Sequence, residues 1–381
     1  MVIVRAPVRI SFGGGGTDLA TYYSRHGGFV LSAAIDRYAS VMAQRPVDRA
    51  IRITSSDYGL TEAWPIGRFP EVCEPLALPK AAVARFANHG LAEMGVDLFL
   101  ASEVPPGTGL GSSSAMAVAL VKALGIYTDH DCAPDGVADI ACSLEIDYLS
   151  QPIGKQDQYA SAFGGINTIE LSPSGVTVTP LRLPASLQAA LDERLLLFAT
   201  GQSRDSASIL TQQRHDSGVN PAVIEALHRI KALAWDMCAA LSAHDLDGFG
   251  RLLDRGWQEK KSLSSAITTA AIDEWYTAAR DAGALGGKIT GAGGGGYLLL
   301  YCPPERQARL RAVMTARGLE EQVFRFDEQG VQDVATPGIA AQRATTRLHP
   351  LQRTIVALPG TGRTDKNMFT IAKGTLDAPA D

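Results

Sequence analysis

PPGTGLGSSSA, residues Pro105 to Ala115, sets close-spaced glycines and three consecutive hydroxyls directly ahead of an apolar helix-forming run, MAVALVKAL from Met116 to Leu124. A strand-like segment, Val96 to Val104, leads into it. Strand, glycine turn and helix in that order build a phosphate cradle. The free N–H groups of the first helical turn and the helix dipole favour an anion, each such interaction being worth roughly 0.3–1 kcal/mol at an exposed terminus. Glycine lets backbone approach oxygen atoms that a Cβ would hold off, and Ser112, Ser113 and Ser114 add donors and a candidate magnesium ligand. The ordinary alternative is a glycine turn with a serine N-cap. Three serines after GLG tilt the reading toward phosphate.

A Walker loop needs a lysine before its Ser/Thr, and here Ser112 follows Gly111 with no lysine until Lys122. The dinucleotide fingerprint wants a third glycine where Ser112 stands, with an acidic ribose partner about 20 residues on. Neither pattern fits. Two further glycine runs stand at FGGGGTD, Phe12 to Asp18, and KITGAGGGGYLLLYC, Lys288 to Cys302. Their apolar flanks are unlike a Gly/Ser linker, and the second reads as strand, glycine loop, strand.

Together, APVRISFGGGGTD, PPGTGLGSSSA and KITGAGGGG resemble, in order, the three motifs of the GHMP small-molecule kinases. Within that family the first and last segments look most like the sugar kinases acting on D-glycero-D-manno-heptose 7-phosphate, and are also similar to bacterial fucokinases and, more distantly, galactokinases. The resemblance implies an α+β, two-lobed fold: a ribosomal-protein-S5-like N-terminal lobe over 1–190 and a ferredoxin-like C-terminal lobe over 191–339, with ATP between them. It assigns Pro106, Gly107, Thr108, Gly109, Leu110, Gly111, Ser112, Ser113 and Ser114 to the nucleotide, and Ser113 with Glu145 to Mg²⁺. A carboxylate, a hydroxyl and waters make a plausible magnesium shell. IGKQDQ resembles the galactokinase-type loop that ends in a catalytic aspartate, here Asp157, with Glu145 twelve residues upstream. Arg9 resembles the family arginine that sits beside this aspartate. For Glu145 and Asp157 the ordinary readings are a solvated helix residue and an N-cap.

Gly14, Gly15, Gly16, Thr17 and Asp18, with Gly293, are assigned to the sugar. Galactokinase-like enzymes carry Glu-His where Gly15 and Gly16 stand, so the pocket is expected to be roomier and to suit a seven-carbon sugar. Its distal phosphate needs a cation, for which Arg204 and Lys288 are the candidates. The expected reaction is phosphorylation of the anomeric hydroxyl of the heptose 7-phosphate to the 1,7-bisphosphate. Another sugar, such as fucose or mannose, and a non-catalytic binding regulator both stay open.

The 381 residues, 46% hydrophobic and 20% charged, can bury a large core. A net charge of −5 argues against a nucleic-acid binder. MVIVRAPVRI is too short and arginine-interrupted for a signal peptide, and no run of 18 apolar residues exists, so a cytoplasmic protein without membrane contact is expected. The oligomeric state stays open. Five scattered cysteines without a CxxC pair read as reduced thiols. Alternation in VIVRAPVRISF, FVLSAAI and IRITSSD predicts strands, and GINTIELSPSGVTVTPL predicts a hairpin around Ser172 to Gly175. Val83, Phe86, Leu91 and Met94 fit one helical face, and Val137, Ile140, Ala141, Leu144 and Tyr148 another that stops before Pro152. Asn220-Pro221 opens a helix with the stripe Val223, Leu227, Ile230, Ala234, Met237, Leu241. The tail from about Ala340 to Asp381 lacks such periodicity; its LPGTG ends in no hydrophobic segment, and no role is assigned.

Overall fold

β1 (Val2–Gly13) and β2 (Gly28–Gln44) form the antiparallel spine of an eight-stranded sheet. β2 is long enough to serve two neighbours on its far side. Its last residues pair β5 (Val96–Ser102) and its first pair β6 (Ile166–Ser172). β3 (Ala50–Ser55) runs parallel to β5, and β4 (Leu60–Pro65) closes that edge. β7 (Gly175–Pro180) forms the expected hairpin with β6, Ser172 facing Gly175. The computed structural model describes residues 1–201 and 206–334, the side chains of 206 and 207 excepted. Arg204 and the tail from 340 to 381, with LPGTG, lie outside the described residues.

A second sheet holds β8 (Leu195–Ala199), β9 (Gly286–Ile289), β10 (Tyr297–Tyr301) and β11 (Glu320–Gln322) in the antiparallel order β11-β8-β10-β9. Helices separate β8 from β9, and the helix Pro304–Thr315 separates β10 from β11, which is the split βαβ, ferredoxin-like arrangement. The chain then returns: Phe326 bridges to Ile35, and β12 (Gln332–Asp333) pairs Val4 and Arg5 at the free edge of β1. The periodicity did not announce this return. The fold is therefore the α+β arrangement expected.

Pro7 explains how β1 reaches the site. A proline cannot donate to a ladder and is tolerated at an edge or bulge; the β1–β2 register shifts between Pro7 and Val8, and β12 stops short of it. Beyond that point the outer edge of β1 is free, and Arg9 N–H donates to the Leu110 carbonyl at 2.9 Å. The simple alternation read in β1 fails here. From Pro7 onward the strand is buried on both faces, because one side meets the helix Ser112–Tyr127 and the other a core shared with the second sheet. Phe12 packs edge-on against Phe249 at 5.3 Å in that shared core.

Two helix expectations need correction. Val83 and Phe86 lie on the helix Ala77–Phe86, but Met94 belongs to a separate short turn, Leu91–Met94, because Gly90 takes φ +86° and ends the run. The helix Pro134–Cys142 does stop before Pro152, yet its continuation Ser143–Tyr148 widens into a π-turn. Such wide turns cluster at functional sites because they re-aim a side chain, and Glu145 sits in this one. The helix Pro221–Ser242 forms as read, its N-terminus capped by Asn220 accepting from Ala222 N–H at 3.1 Å, and every residue of its stripe is buried.

Candidate active site

The loop after β5 is shaped by three glycines at alternate positions, Gly107, Gly109 and Gly111, with φ of +77°, +83° and +76°. Residues with a Cβ rarely adopt that left-handed region. The loop also lies glycine to glycine on the β9–β10 turn. A Cβ on Gly291 would stand 2.4 Å from the Gly109 Cα, and one on Gly296 would stand 2.2 Å from the Thr108 carbonyl oxygen. All three glycines need that freedom, and Gly109 needs room as well.

The helix begins at Ser112 itself, with Gly111 at the cap position and no capping side chain. The serine N-cap reading is thus overturned, and the first-turn N–H groups stay available to an outside acceptor. Thr108 and Ser112 turn their hydroxyls to the Pro105 carbonyl at 2.8 and 3.4 Å. Leu110 buries its side chain in the core, and its carbonyl accepts from Arg9. Ser113 is the exposed serine, and its Oγ donates to Glu145 Oε1 at 2.7 Å.

Glu145 is not a solvated helix residue. It is 1% exposed, and its other oxygen accepts from Gln158 Nε2 at 2.6 Å. Burial pushes its pKa up, while the Ser113 and Gln158 hydrogen bonds pull it back in part. Among the described residues no cation forms an ion pair with it. A buried carboxylate served only by neutral donors lacks a positive charge. With the Ser113 hydroxyl at the solvent boundary, this donor set suits a hard divalent cation completed by water and phosphate oxygens.

Asp157 occupies the first turn of the helix Gln156–Phe163, where Lys155 rather than Asp157 is the cap residue. Its carboxylate is gripped by Arg9 through two parallel bonds, Nε to Oδ1 at 2.7 Å and Nη2 to Oδ2 at 2.5 Å. A third Arg9 bond runs from Nη1 to the Gly109 carbonyl at 2.7 Å. Arg9 is buried, whereas the Asp157 side chain keeps 21% exposure. One arginine therefore couples β1, the glycine loop and this carboxylate, with a fork geometry that fixes the carboxylate's orientation.

A cleft of about 100 Å³ is lined by Arg9, Gly13 to Gly16, Asp18, Asp157 and Lys288, with Gly291 and Ala292. Asp18 is 3% exposed and accepts from Gly16 N–H at 2.9 Å and Gln156 Nε2 at 3.0 Å. Burial, then the charge of Asp157, raises its pKa. Lys288 donates to the carbonyls of Ser11 and Phe12 at 2.7 and 3.2 Å, and burial lowers its pKa well below the ordinary lysine value. Two assigned residues do not line the cleft. Thr17 is fully buried, its hydroxyl donating to the carbonyls of Gly14 and Phe29 and accepting from Phe29 N–H, so it holds the turn. Gly293 packs on Ile267, whose carbonyl would meet its Cβ at 2.8 Å.

Gly15 and Gly16 also part company. A Cβ on Gly15 would meet only ordinary contacts, Ser11 Oγ at 3.5 Å and Gln156 Nε2 at 3.6 Å, so the expected room exists there. At Gly16 the Gln213 amide already fills the space, at 2.4 Å from a Cβ. Lys260 was missed altogether. It lies in the cleft, donates to the Gly291 carbonyl, and burial followed by the Arg9 charge lowers its pKa to about 8. The signal was there: Phe249, Leu253 and Trp257 form the buried stripe of the helix Leu246–Lys261, and Lys260 falls next on it at helical spacing.

The family model for the GHMP kinases N terminal domain matches residues 77–165, and that for the GHMP kinases C terminal matches 223–319. With both models matched in order around this cleft, the chain belongs to the GHMP kinases, phosphotransferases with an alcohol group as acceptor. It is 29% identical over 330 residues to the D-glycero-alpha-D-manno-heptose 7-phosphate kinase of Campylobacter jejuni, covering 86% of this chain and 97% of that one. It is 28% identical to the L-fucokinase/L-fucose-1-P guanylyltransferase of Bacteroides fragilis, covering 86% of this chain and 37% of the relative. A crystal structure of a D-glycero-D-manno-heptose 1-phosphate kinase from Bacteroides thetaiotaomicron superposes with a TM-score of 0.74 at 28% identity, over 87% of this chain and 98% of that one. Among the described residues no helix is long and apolar enough to cross a membrane.

Proposed function

We propose that this kinase uses ATP and Mg²⁺ to phosphorylate the anomeric hydroxyl of D-glycero-D-manno-heptose 7-phosphate, giving the 1,7-bisphosphate for nucleotide-activated heptose and surface polysaccharide. One observation carries the reading: a partly exposed carboxylate, Asp157, held by a buried arginine in a cleft that also contains Lys260, Lys288 and Asp18. Asp157 accepts the hydroxyl proton as the sugar oxygen attacks the terminal phosphorus and the bond to ADP breaks. Arg9 keeps the accepting oxygens aimed and stays bound to Gly109 of the phosphate loop. Phosphoryl transfer asks mainly for positioning and charge neutralisation, and the uncapped helix N-terminus, Arg9 and Lys260 supply positive potential without a Walker lysine.

Ser113 and Glu145 would hold the Mg²⁺, which when bound offsets the charge of the outer phosphates. Asp18 orients the sugar through its hydroxyls, and the open space at Gly15 favours a larger acceptor than a hexose. The kinship to a heptose 7-phosphate kinase supports the same choice. The test is a panel of sugars and sugar phosphates with Mg-ATP followed by phosphorus NMR. Preferential turnover of heptose 7-phosphate with a new anomeric phosphate resonance is expected; preferential turnover of an unphosphorylated hexose overturns the assignment.

A further inference from the structure

We propose that an open groove beside the cleft, walled by the helices Ala20–His26 and Ser206–Val219 and the loop at Ser150–Pro152, binds the distal phosphate of the acceptor through Arg25, Arg214 and His215. It rests on the reading that the acceptor is a sugar phosphate. Size makes the first case. The cleft's 100 Å³ holds roughly seven to ten water-sized groups, whereas a heptose phosphate has about twice that many non-hydrogen atoms. The far end of the acceptor has to leave the cleft.

Continuity shows where it goes. The helix Ser206–Val219 turns Leu210 and Gln213 into the cleft and Arg214 and His215 into the groove, and the loop gives Gly154 to one and Pro152 to the other. The groove has a volume of about 720 Å³, ample for the excess.

Charge makes the last case. Inside the cleft each cation is already engaged: Arg9 with Asp157, Lys288 with two carbonyls, Lys260 with Gly291. No carboxylate lines the groove, and none of its three basic side chains forms an ion pair among the described residues. Its walls are pinned in place. Thr21 Oγ1 and Ser217 Oγ lie 2.6 Å apart, and Arg25 Nη1 donates to the Gly218 carbonyl at 3.1 Å, leaving the rest of the guanidinium for a ligand. Two forked donors and an imidazole facing one unpaired concavity suit a phosphate monoester.

Steady-state kinetics of the double variant Arg25→Ala/Arg214→Ala test this. KM for the sugar phosphate should rise about tenfold per guanidinium lost, since each charge-assisted bond contributes on that order, while KM for ATP serves as the internal reference. Inorganic phosphate should inhibit the unmodified enzyme competitively with the sugar phosphate and lose that inhibition in the variant. If the double variant does not fold, the single exposed change Arg214→Ala carries the same readout at about tenfold. Unchanged KM, or phosphate inhibition not competitive with the sugar, removes the groove assignment and leaves the kinase reading intact. An unmodified enzyme that turns over sugars but no sugar phosphate sinks the substrate reading itself, and the groove with it.

Discussion

Asp157 and Glu145 stand on neighbouring helical segments at the same site, yet their surroundings differ in kind. Asp157 is held by a guanidinium and keeps one side open to the cleft, whereas Glu145 is sealed in and served by a hydroxyl and an amide. A carboxylate with its own cation can wait beside a substrate hydroxyl. One without a cation fits the proposed metal ligand. The two proposed roles, proton acceptor and metal ligand, rest on that contrast of partners rather than on residue type.

The hardest blow to the contrast is Asp157→Asn. Removing the base should lower kcat by about 10²–10⁴ while nucleotide affinity changes little; wild-type turnover would move the base elsewhere. Glu145→Gln comes next. The apparent Mg²⁺ affinity in a metal titration of activity should fall by about 10–100-fold or more, since even outer-shell changes cost that much.

Stability should respond in the opposite sense. The folded-state pKa of Glu145 is raised, so the native protein holds its proton longer than the unfolded chain, and metal-free stability falls as pH rises from the ordinary glutamate value through the raised one. Glu145→Gln removes that loss. Metal-free melting at neutral pH should therefore match or exceed the unmodified protein, and added Mg²⁺ should raise the melting temperature only when Glu145 is present.

Lys260 offers a smaller handle on the Asp157 side. Its folded pKa of about 8 lies below the unfolded value, so as pH rises past 8 the cleft loses a positive charge it shares with Arg9 and Lys288, facing Asp18 and Asp157. kcat/KM for the sugar phosphate should decline above about pH 8, and Lys260→Met should flatten that limb. The ligand-free protein moves the other way, gaining stability as pH climbs from about 8 toward the ordinary lysine value, because there the unfolded chain binds the extra proton.

The smallest expected effects come from two glycines. Gly154→Ala places a methyl 1.9 Å from Asp18 Oδ2 and should cost about 1–3 kcal/mol of stability and raise the sugar KM. Gly15→Ala, with its nearest contacts at 3.5 and 3.6 Å, should change stability little. Thermal melts and acceptor kinetics of the pair check both.

Much of the site was readable because its pieces are local. Glycines at 107, 109 and 111 announce a left-handed loop wherever it sits, and three hydroxyls ahead of an apolar run announce the helix that follows. Arg9, Glu145 and Asp157 were found through likeness to other kinases, and their bonds could not be read from spacing. Arg9 and Asp157 are 148 residues apart, and only the free edge of β1 beyond Pro7 brings them together. Thr17 and Gly293 do not line the cleft and Leu110 buries its side chain, because a motif's residues divide between those that face the cleft and those that brace the turn. Local pattern does not separate the two. Lys260 was passed over because no stripe was read over Leu246–Lys261, the helix that carries it.

Chain order was enough for several strands, the glycine turns, the β6–β7 hairpin and the helix start at Asn220, since each depends on the preferences of a few consecutive residues. The fork of β2, the return of β12 to the first sheet, the π-turn that seals Glu145 and the meeting of Gly109 with Gly291 arose from packing between distant segments. Such contacts are set by which buried surfaces fill one another's space. The charge states of Glu145, Asp18 and the two lysines follow from that burial, because desolvation acts on a position in space and not on a place in the chain.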